Sequence, residues 1–341
     1  MKRALFLLFL SLPLYAADEV TIKLGGVLFA DYVWQASPET RDAEGNAIHA
    51  NAFNVTRAYI NINGTVGKRI AFRITPDIAR ESGSGSSLSG SQNFRLKFAF
   101  AQLNLDEWAT KGSWVRLGVQ QTPYVDYTET IYRYRFQGPV FVDREGYLSA
   151  SDAGLSARYV FPGDYGDVHA GFYNGETFAR PEQNDEKALQ MRVSLRPLPR
   201  NAFWKGLRGA LFADADHYIG DAKRQRLIAQ ATFEHPRVVT GLELVSTKDR
   251  PTSIAREVEG RGYSAWATPR LGDGWELLLR HDDLRPDDAS QVRRRRNIAG
   301  VAYWVPNLDK VTSAVMLDYD SLSVTGRERE TRYGVKLLLS F

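Results

Sequence analysis

Residues 332–341 read RYGVKLLLSF. Successive side chains of a strand point to opposite sides. Tyr333, Val335, Leu337, Leu339 and Phe341 therefore share one face, and Arg332, Gly334, Lys336 and Ser340 share the other. Leu338 is the one apolar residue out of step.

The same rhythm of two recurs upstream. Strands are predicted at 19–35, 53–66, 69–79, 93–106, 113–122, 152–161, 167–177, 187–197, 206–217, 224–233, 238–246, 259–268, 274–282, 294–304, 310–319 and 332–341. With no helical periodicity between them, the chain reads as all-β. Connections of few residues, rich in turn formers, lie at 67–69, 106–113, 162–166, 235–237, 269–274 and 306–309. Longer polar ones lie at 36–52, 80–92, 123–151, 178–186, 218–223, 247–258, 283–293 and 320–331. Short turns at one end and longer loops at the other are the layout of a transmembrane antiparallel β-barrel. Such a barrel closes on itself, so every backbone polar group finds a partner within hydrocarbon.

Composition agrees. Hydrophobic residues make up 43% of the 341, yet mean hydropathy is −0.35, as when only alternate strand residues meet lipid. The one continuous apolar run is MKRALFLLFLSLPLYA, where Lys2 and Arg3 precede an apolar core that ends on small residues. That order predicts a signal peptide over 1–16 and a single barrel domain over 17–341. The absence of cysteine excludes disulfides, thiol catalysis and Cys-ligated zinc. A net charge of +4 is weak grounds for a nucleic-acid partner, and export removes it. His49, His169, His217, His235 and His281 are scattered and no G-x-S-x-G occurs, so neither a metal, a cofactor nor an enzyme activity is expected.

Arg332, Gly334, Leu337 and Leu339 resemble the polar-x-Gly-x-x-apolar-x-apolar last strand of bacterial outer-membrane proteins. The resemblance implies that Tyr333, Gly334, Leu337, Leu339 and terminal Phe341 form the signal read by the barrel-assembly machinery. VTRAYINING (55–64), FRITPDIA (72–79), VRLGVQQTPY (115–124), GLSARYVF (154–161), FYNGE (172–176), WELLLRHDD (275–283) and NIAGVAYWVP (297–306) resemble, in order, the phosphate-selective porin family, the porins O and P. That likeness implies a trimer of 16-stranded barrels in the bacterial outer membrane, each with the loop after strand five folded into the lumen as a constriction. The family's lysine ladder is not repeated: the chain has eleven lysines, and arginine carries most of the positive charge. General diffusion of small anions is the reading that survives that departure, with phosphate preference left open.

With apolar faces toward lipid, the opposite faces line a pore. Inward basic positions are Lys23, Arg57, Arg73, Arg95, Lys97, Arg116, Arg158, Arg192, Arg196, Arg208, Arg226, Arg280, Arg296 and Lys336. The inward acids are Asp31, Asp77, Asp214, Asp216, Glu243, Glu276, Asp282, Asp318 and Asp320. A basic surplus around water favours anions. Arg133, Arg135 and Arg144 on the long loop are candidates for the constriction, with Arg57, Arg73, Arg116, Arg158 and Arg192 on the wall. Asp126, Glu129, Asp143 and Glu145 stand beside the loop arginines, so pairing within the loop is the competing reading. RRRR at 293–296 reads either as a site for lipopolysaccharide phosphates or as a solvated loop with its own ion pairs. Lipopolysaccharide, outer-membrane lipids and small anionic solutes are the expected partners. The rival functions are a plugged structural or adhesive barrel and a barrel lipid hydrolase.

Overall fold

The computed structural model describes residues 19–81, 87–182, 184–217, 219–220, 222–306 and 309–341. The predicted signal peptide, 1–16, lies outside the described residues.

Sixteen antiparallel strands close into one barrel. They are β1 (Val20–Ser37), β2 (Asn51–Val66), β3 (Ile70–Arg80), β4 (Gln92–Asn104), β5 (Trp114–Gln121), β6 (Ser151–Val160), β7 (Gly166–Tyr173) and β8 (Ala188–Leu195), followed by β9 (Leu207–Asp216), β10 (Lys223–His235), β11 (Val238–Arg250), β12 (Val258–Gly272), β13 (Trp275–Arg285), β14 (Arg294–Trp304), β15 (Thr312–Val324) and β16 (Glu330–Ser340). Each pairs with its sequence neighbours, and β16 closes on β1. At that seam Gly26 and Phe341 exchange both backbone hydrogen bonds, at 2.9 and 3.1 Å.

Every predicted strand is present. The main differences lie at the long-connection end, where β11, β13 and β15 run up to five residues past their predicted ends. There both faces are polar, so the alternation that marks a membrane strand disappears although the ladder continues. Lys248, paired across the ladder with Glu259, holds both Glu259 at 2.9 Å and Glu257 at 3.0 Å.

The outward face is an apolar belt. Leu24, Phe94, Leu117, Phe172, Leu211, Leu227, Leu244, Leu279 and Leu317 are all at least half exposed and come from strands all round the barrel. An exposed apolar surface of this extent marks contact with lipid.

The inward face is divided. Phe212, Ile228, Val245, Trp266, Leu278, Ile298, Met316 and Leu338, all on β9–β16, are buried in one apolar cluster. Leu338, the residue out of step, stands inward opposite Phe29 of β1. The connection between β5 and β6, residues 122–150, supplies the other half of that cluster through Tyr124, Val125, Tyr132, Tyr134, Phe136 and Phe141. This connection contains two short helices where none was predicted, α1 (Val125–Ile131) and α2 (Phe141–Arg144). Neither has a side-chain N-cap. A seven-residue helix is marginal by propensity, so burial of Val125, Thr128 and Ile131 holds α1.

Candidate functional site: the interior wall and the connection against it

Residues 122–150 are tied to inward side chains on six strands. Tyr124 donates its hydroxyl to Glu243 of β11 at 2.8 Å, and Gln230 of β10 donates to Thr128 at 3.2 Å. Gln137 donates to Asp318 of β15 at 3.1 Å, and Arg294 of β14 donates to Glu145 at 3.0 Å. Backbone carbonyls take part too: Pro123 accepts from Arg192 of β8 and Pro139 from Arg280 of β13, at 2.8 and 2.9 Å. Tyr132 lies edge-on to Trp266, and Tyr134 edge-on to Trp304, with centroids 5.1 and 5.6 Å apart. Such aromatic pairs add roughly 0.5–1.5 kcal/mol each beyond the area they bury.

The three arginines of the connection occupy different settings. Arg133 pairs with Glu276 of β13 and lies 3.7 Å from the Trp304 centroid, with its side chain still 40% exposed. Arg135 pairs with Glu129 of the same connection at 2.6 Å. Arg144 is half-buried and donates to Gln137 at 3.0 Å. Burial pushes the guanidinium pKa down to about 10 for Arg133 and Arg144. It also pushes the Glu129 carboxyl up to about 7, despite the opposing charges of Arg135 and Arg57. Competition between the loop's own acids and the wall therefore has a split outcome: Arg135 is held internally and Arg133 by the wall.

On the wall, the fourteen inward cations fall into two sets. Eight are ion-paired. Arg158 and Arg192 both hold Asp167, at 2.6 and 2.7 Å. Arg196 meets Asp164, Arg208 meets Glu234, and Arg226 meets Asp249. Arg280 holds Asp282, Arg296 holds Asp320, and Lys336 holds Asp31. The other six, Lys23, Arg57, Arg73, Arg95, Lys97 and Arg116, have no carboxylate within ion-pair distance among the described residues. All six lie on β1–β4 or at the start of β5.

Neutral groups position five of these six. Arg73 donates to Thr75 and Asn61 at 2.9 and 2.8 Å, with its guanidinium 4.4 Å from the Phe98 centroid. Arg116 donates to Gln102 and Gln121 at 2.6 and 3.0 Å over the ring of Trp114. Arg57 stands over Tyr59, and Arg95 and Lys97 share the ring of Phe178. Lys23, Arg73 and Arg116 line one cavity of about 500 Å³ with Asn63, Thr65, Gln102 and Gln121 and no carboxylate. Sequence placed all six inward; their lack of partners depends on register, which the sequence does not print.

A second cavity, of about 270 Å³, brings Arg116, Arg158 and Arg192 together with Arg196, Arg208 and His169, beside Asp126, Asp164 and Asp167. His169 Nε2 lies 3.2 Å from Ser156 Oγ. Asp167 makes its hydrogen bonds with Arg158, Arg192 and Ser194, so it does not orient that imidazole as a catalytic acid would.

A closed, even-stranded antiparallel cylinder with an apolar outside and a charged inside defines a membrane β-barrel of the bacterial outer-membrane kind. Solved structures agree in fold across nearly the whole chain. OmpTdeltaL8, a loop L8 deletion mutant of the outer membrane protein OmpT of Vibrio cholerae, matches with TM-score 0.66 at 13% identity, covering 95% of this chain and 100% of its own. An anion-selective porin from Comamonas acidovorans matches at 0.64 and 14%, covering 94% and 99%. Salmonella typhi OmpF, in complex with daunomycin, matches at 0.62 and 11%, covering 95% and 98%. No family model matches the chain, and no curated relative does.

Proposed function

We propose that the protein is an outer-membrane porin that passes small hydrophilic solutes by diffusion and prefers anions. The observation that carries this reading is the set of six inward cations on β1–β5 without carboxylate partners, facing strands on which the other eight inward cations are ion-paired. Low-dielectric walls focus the field of unpaired charges into the water between them, which lowers the barrier for anions and raises it for cations. In this reading residues 122–150 form the constriction. Their apolar side docks on β9–β16 and leaves the path along Arg95, Lys97, Arg57, Arg73, Arg116 and Lys23, from the long-connection end to the short-turn end. Arg133 contributes an exposed edge, whereas Arg135, Arg144, Arg158 and Arg192 act chiefly in structure. The short turns are periplasmic and the long connections external.

The phosphate preference implied by the resemblance to porins O and P rests on the carboxylate-free cavity of Lys23, Arg73 and Arg116, where two guanidinium groups and an ammonium stand ready for an oxyanion. A homotrimer is part of the proposal, since OmpT of Vibrio cholerae is described in a trimer form. So are removal of residues 1–16 as a signal peptide and reading of the Tyr333–Phe341 strand end by the assembly machinery. The test is a planar-bilayer recording of the purified chain. Steady channels with a reversal potential on the anion side support the reading; a silent membrane supports a plugged barrel, and a cation-side potential contradicts the preference.

A further inference from the structure

The RRRR run divides on inspection. Arg293 donates to both oxygens of Asp283 at 2.8 and 2.9 Å, Arg294 pairs with Glu145, and Arg296 pairs with Asp320. Arg295 is left over. It points outward on β14, opposite Asp283 of β13. Arg285 of β13 also points outward, opposite Arg261 of β12. Arg285 and Arg295 have no ion pair or side-chain hydrogen bond among the described residues. Arg261 has one partner, Asp288 at 3.1 Å, and remains 64% exposed. The outward charges here are Arg261, Arg285, Arg293 and Arg295 against Asp283 and Asp288, with Lys248 against Glu257 and Glu259 beside them, five minus four, a surplus of +1.

Place matters as much as charge. The three arginines sit on adjacent strands at the long-connection end, just above the lipid-facing belt. Strands lie about 4.8 Å apart, so the row spans on the order of 10 Å. Beneath it comes a polar step, where Tyr263 and His281 meet at 5.8 Å and His281 is 2.7 Å from Asn297. Below that are exposed Leu279, Val301 and Leu317. From top to bottom the surface offers guanidinium groups, then hydrogen-bonding groups, then aliphatic side chains. That matches an amphiphile with phosphates above, sugar hydroxyls in the middle and acyl chains below.

We propose that Arg261, Arg285 and Arg295 form a docking surface for the phosphorylated headgroup of an outer-leaflet glycolipid, whose acyl chains lie along Leu279, Val301 and Leu317. The guanidinium forks take phosphate oxygens in bidentate fashion, and Arg261 exchanges Asp288 for a lipid phosphate. The inference rests on the outer-membrane reading of the barrel and not on its solute.

The test is native mass spectrometry of the full chain in detergent, titrated with bisphosphorylated lipid A, dephosphorylated lipid A or inorganic phosphate. Wild type is expected to retain the bisphosphorylated form, and Arg261→Ala, Arg285→Ala and Arg295→Ala together to weaken it by about fivefold per arginine removed. Arg285→Glu alone should weaken it further than Arg285→Ala. Heat-modifiable migration and bilayer conductance, measured on the same preparations, report the barrel and the channel separately. Equal affinity of wild type and both variants overturns the proposal. So does equal retention of the dephosphorylated form, displacement of lipid by inorganic phosphate at equal concentration, or loss of oligomer in the triple variant, which would make the row a contact between copies.

Discussion

The hydroxyl of Tyr124 donates to Glu243 Oε2 at 2.8 Å, and both side chains are buried. This one bond fixes the start of residues 122–150 against β11, on the opposite side of the apolar cluster from the unpaired cations. Tyr124→Phe removes the donor and leaves a buried carboxylate oxygen unsatisfied, at a cost of about 1–3 kcal/mol. The expected result is a lower transition temperature in heat-modifiable migration and noisier single-channel currents. Glu243→Gln keeps an acceptor and should have the smaller effect.

Gly241 leaves the space that Trp266 fills. A Cβ at Gly241 would lie 2.6 Å from the indole, which itself packs edge-on against Tyr132. Gly241→Val therefore pushes Trp266 toward the connection, an overpacking cost of roughly 1–3 kcal/mol. Urea unfolding of the detergent-solubilised protein should show that loss, and Gly241→Ala a smaller one.

Glu129 sets a pH dependence. Burial raises its carboxyl from the ordinary 4.5 to about 7, against the lowering charges of Arg135 and Arg57. Above that pH the carboxylate neutralises Arg135; below it the carboxyl is protonated and Arg135 loses its counterion. Anion over cation permeability should therefore rise as pH falls from 8 to 5.5, with a midpoint near 7, and Glu129→Gln should flatten that step. Because the folded chain holds this proton more tightly than the unfolded chain, the same group's contribution to stability declines as pH rises from about 4.5 to about 7.

The seam gives a prediction about assembly. Phe341 exchanges two backbone hydrogen bonds with Gly26, and its ring lies where a Gly26 Cβ would stand. Deleting Phe341 removes ring and hydrogen bonds together, while Phe341→Ala removes the ring alone. Each bond contributes about 0.5–1.5 kcal/mol. The yield of heat-modifiable protein in the outer-membrane fraction should fall with both changes, further with the deletion. Equal yields of deletion and wild type would remove Phe341 from any assembly signal.

How much of this was legible in the sequence follows from what each strand touches. Where one face meets lipid and the other water, as in 188–195, alternation is complete and the strand is plain. Where both faces are wet, as at 247–250, the pattern vanishes while the ladder continues. Where both faces are apolar, three or more apolar residues run together: Leu227-Ile228-Ala229, Leu277-Leu278-Leu279 and Ala314-Val315-Met316-Leu317. Those runs sit on β10, β13 and β15, against which residues 122–150 pack; Val27-Leu28-Phe29-Ala30 on β1 and Phe98-Ala99-Phe100-Ala101 on β4 show the same break, so the runs alone do not mark the docking side. Helix α1 was not legible, because VDYTETI is rich in β-branched and aromatic residues and is helical through burial. The ion pairs were not legible either. Asp167 serves Arg158 and Arg192 from two neighbouring strands, and only register brings the three together.

The division of inward cations is tested most directly by reversal potentials across a potassium chloride gradient. At about 10 Å through water a unit charge acts with roughly 0.4 kcal/mol, about a factor of two in ion occupancy. Each replacement lowers anion and raises cation occupancy by that factor, so Arg73→Ala with Arg116→Ala should shift the potential toward the cation side by about sixteenfold in permeability ratio. Arg296→Ala with Asp320→Ala, which removes a cation together with the carboxylate that holds it, should leave the ratio near wild type. An unchanged ratio after Arg73→Ala with Arg116→Ala, or a larger shift from the charge-neutral Arg296→Ala with Asp320→Ala, would contradict the account.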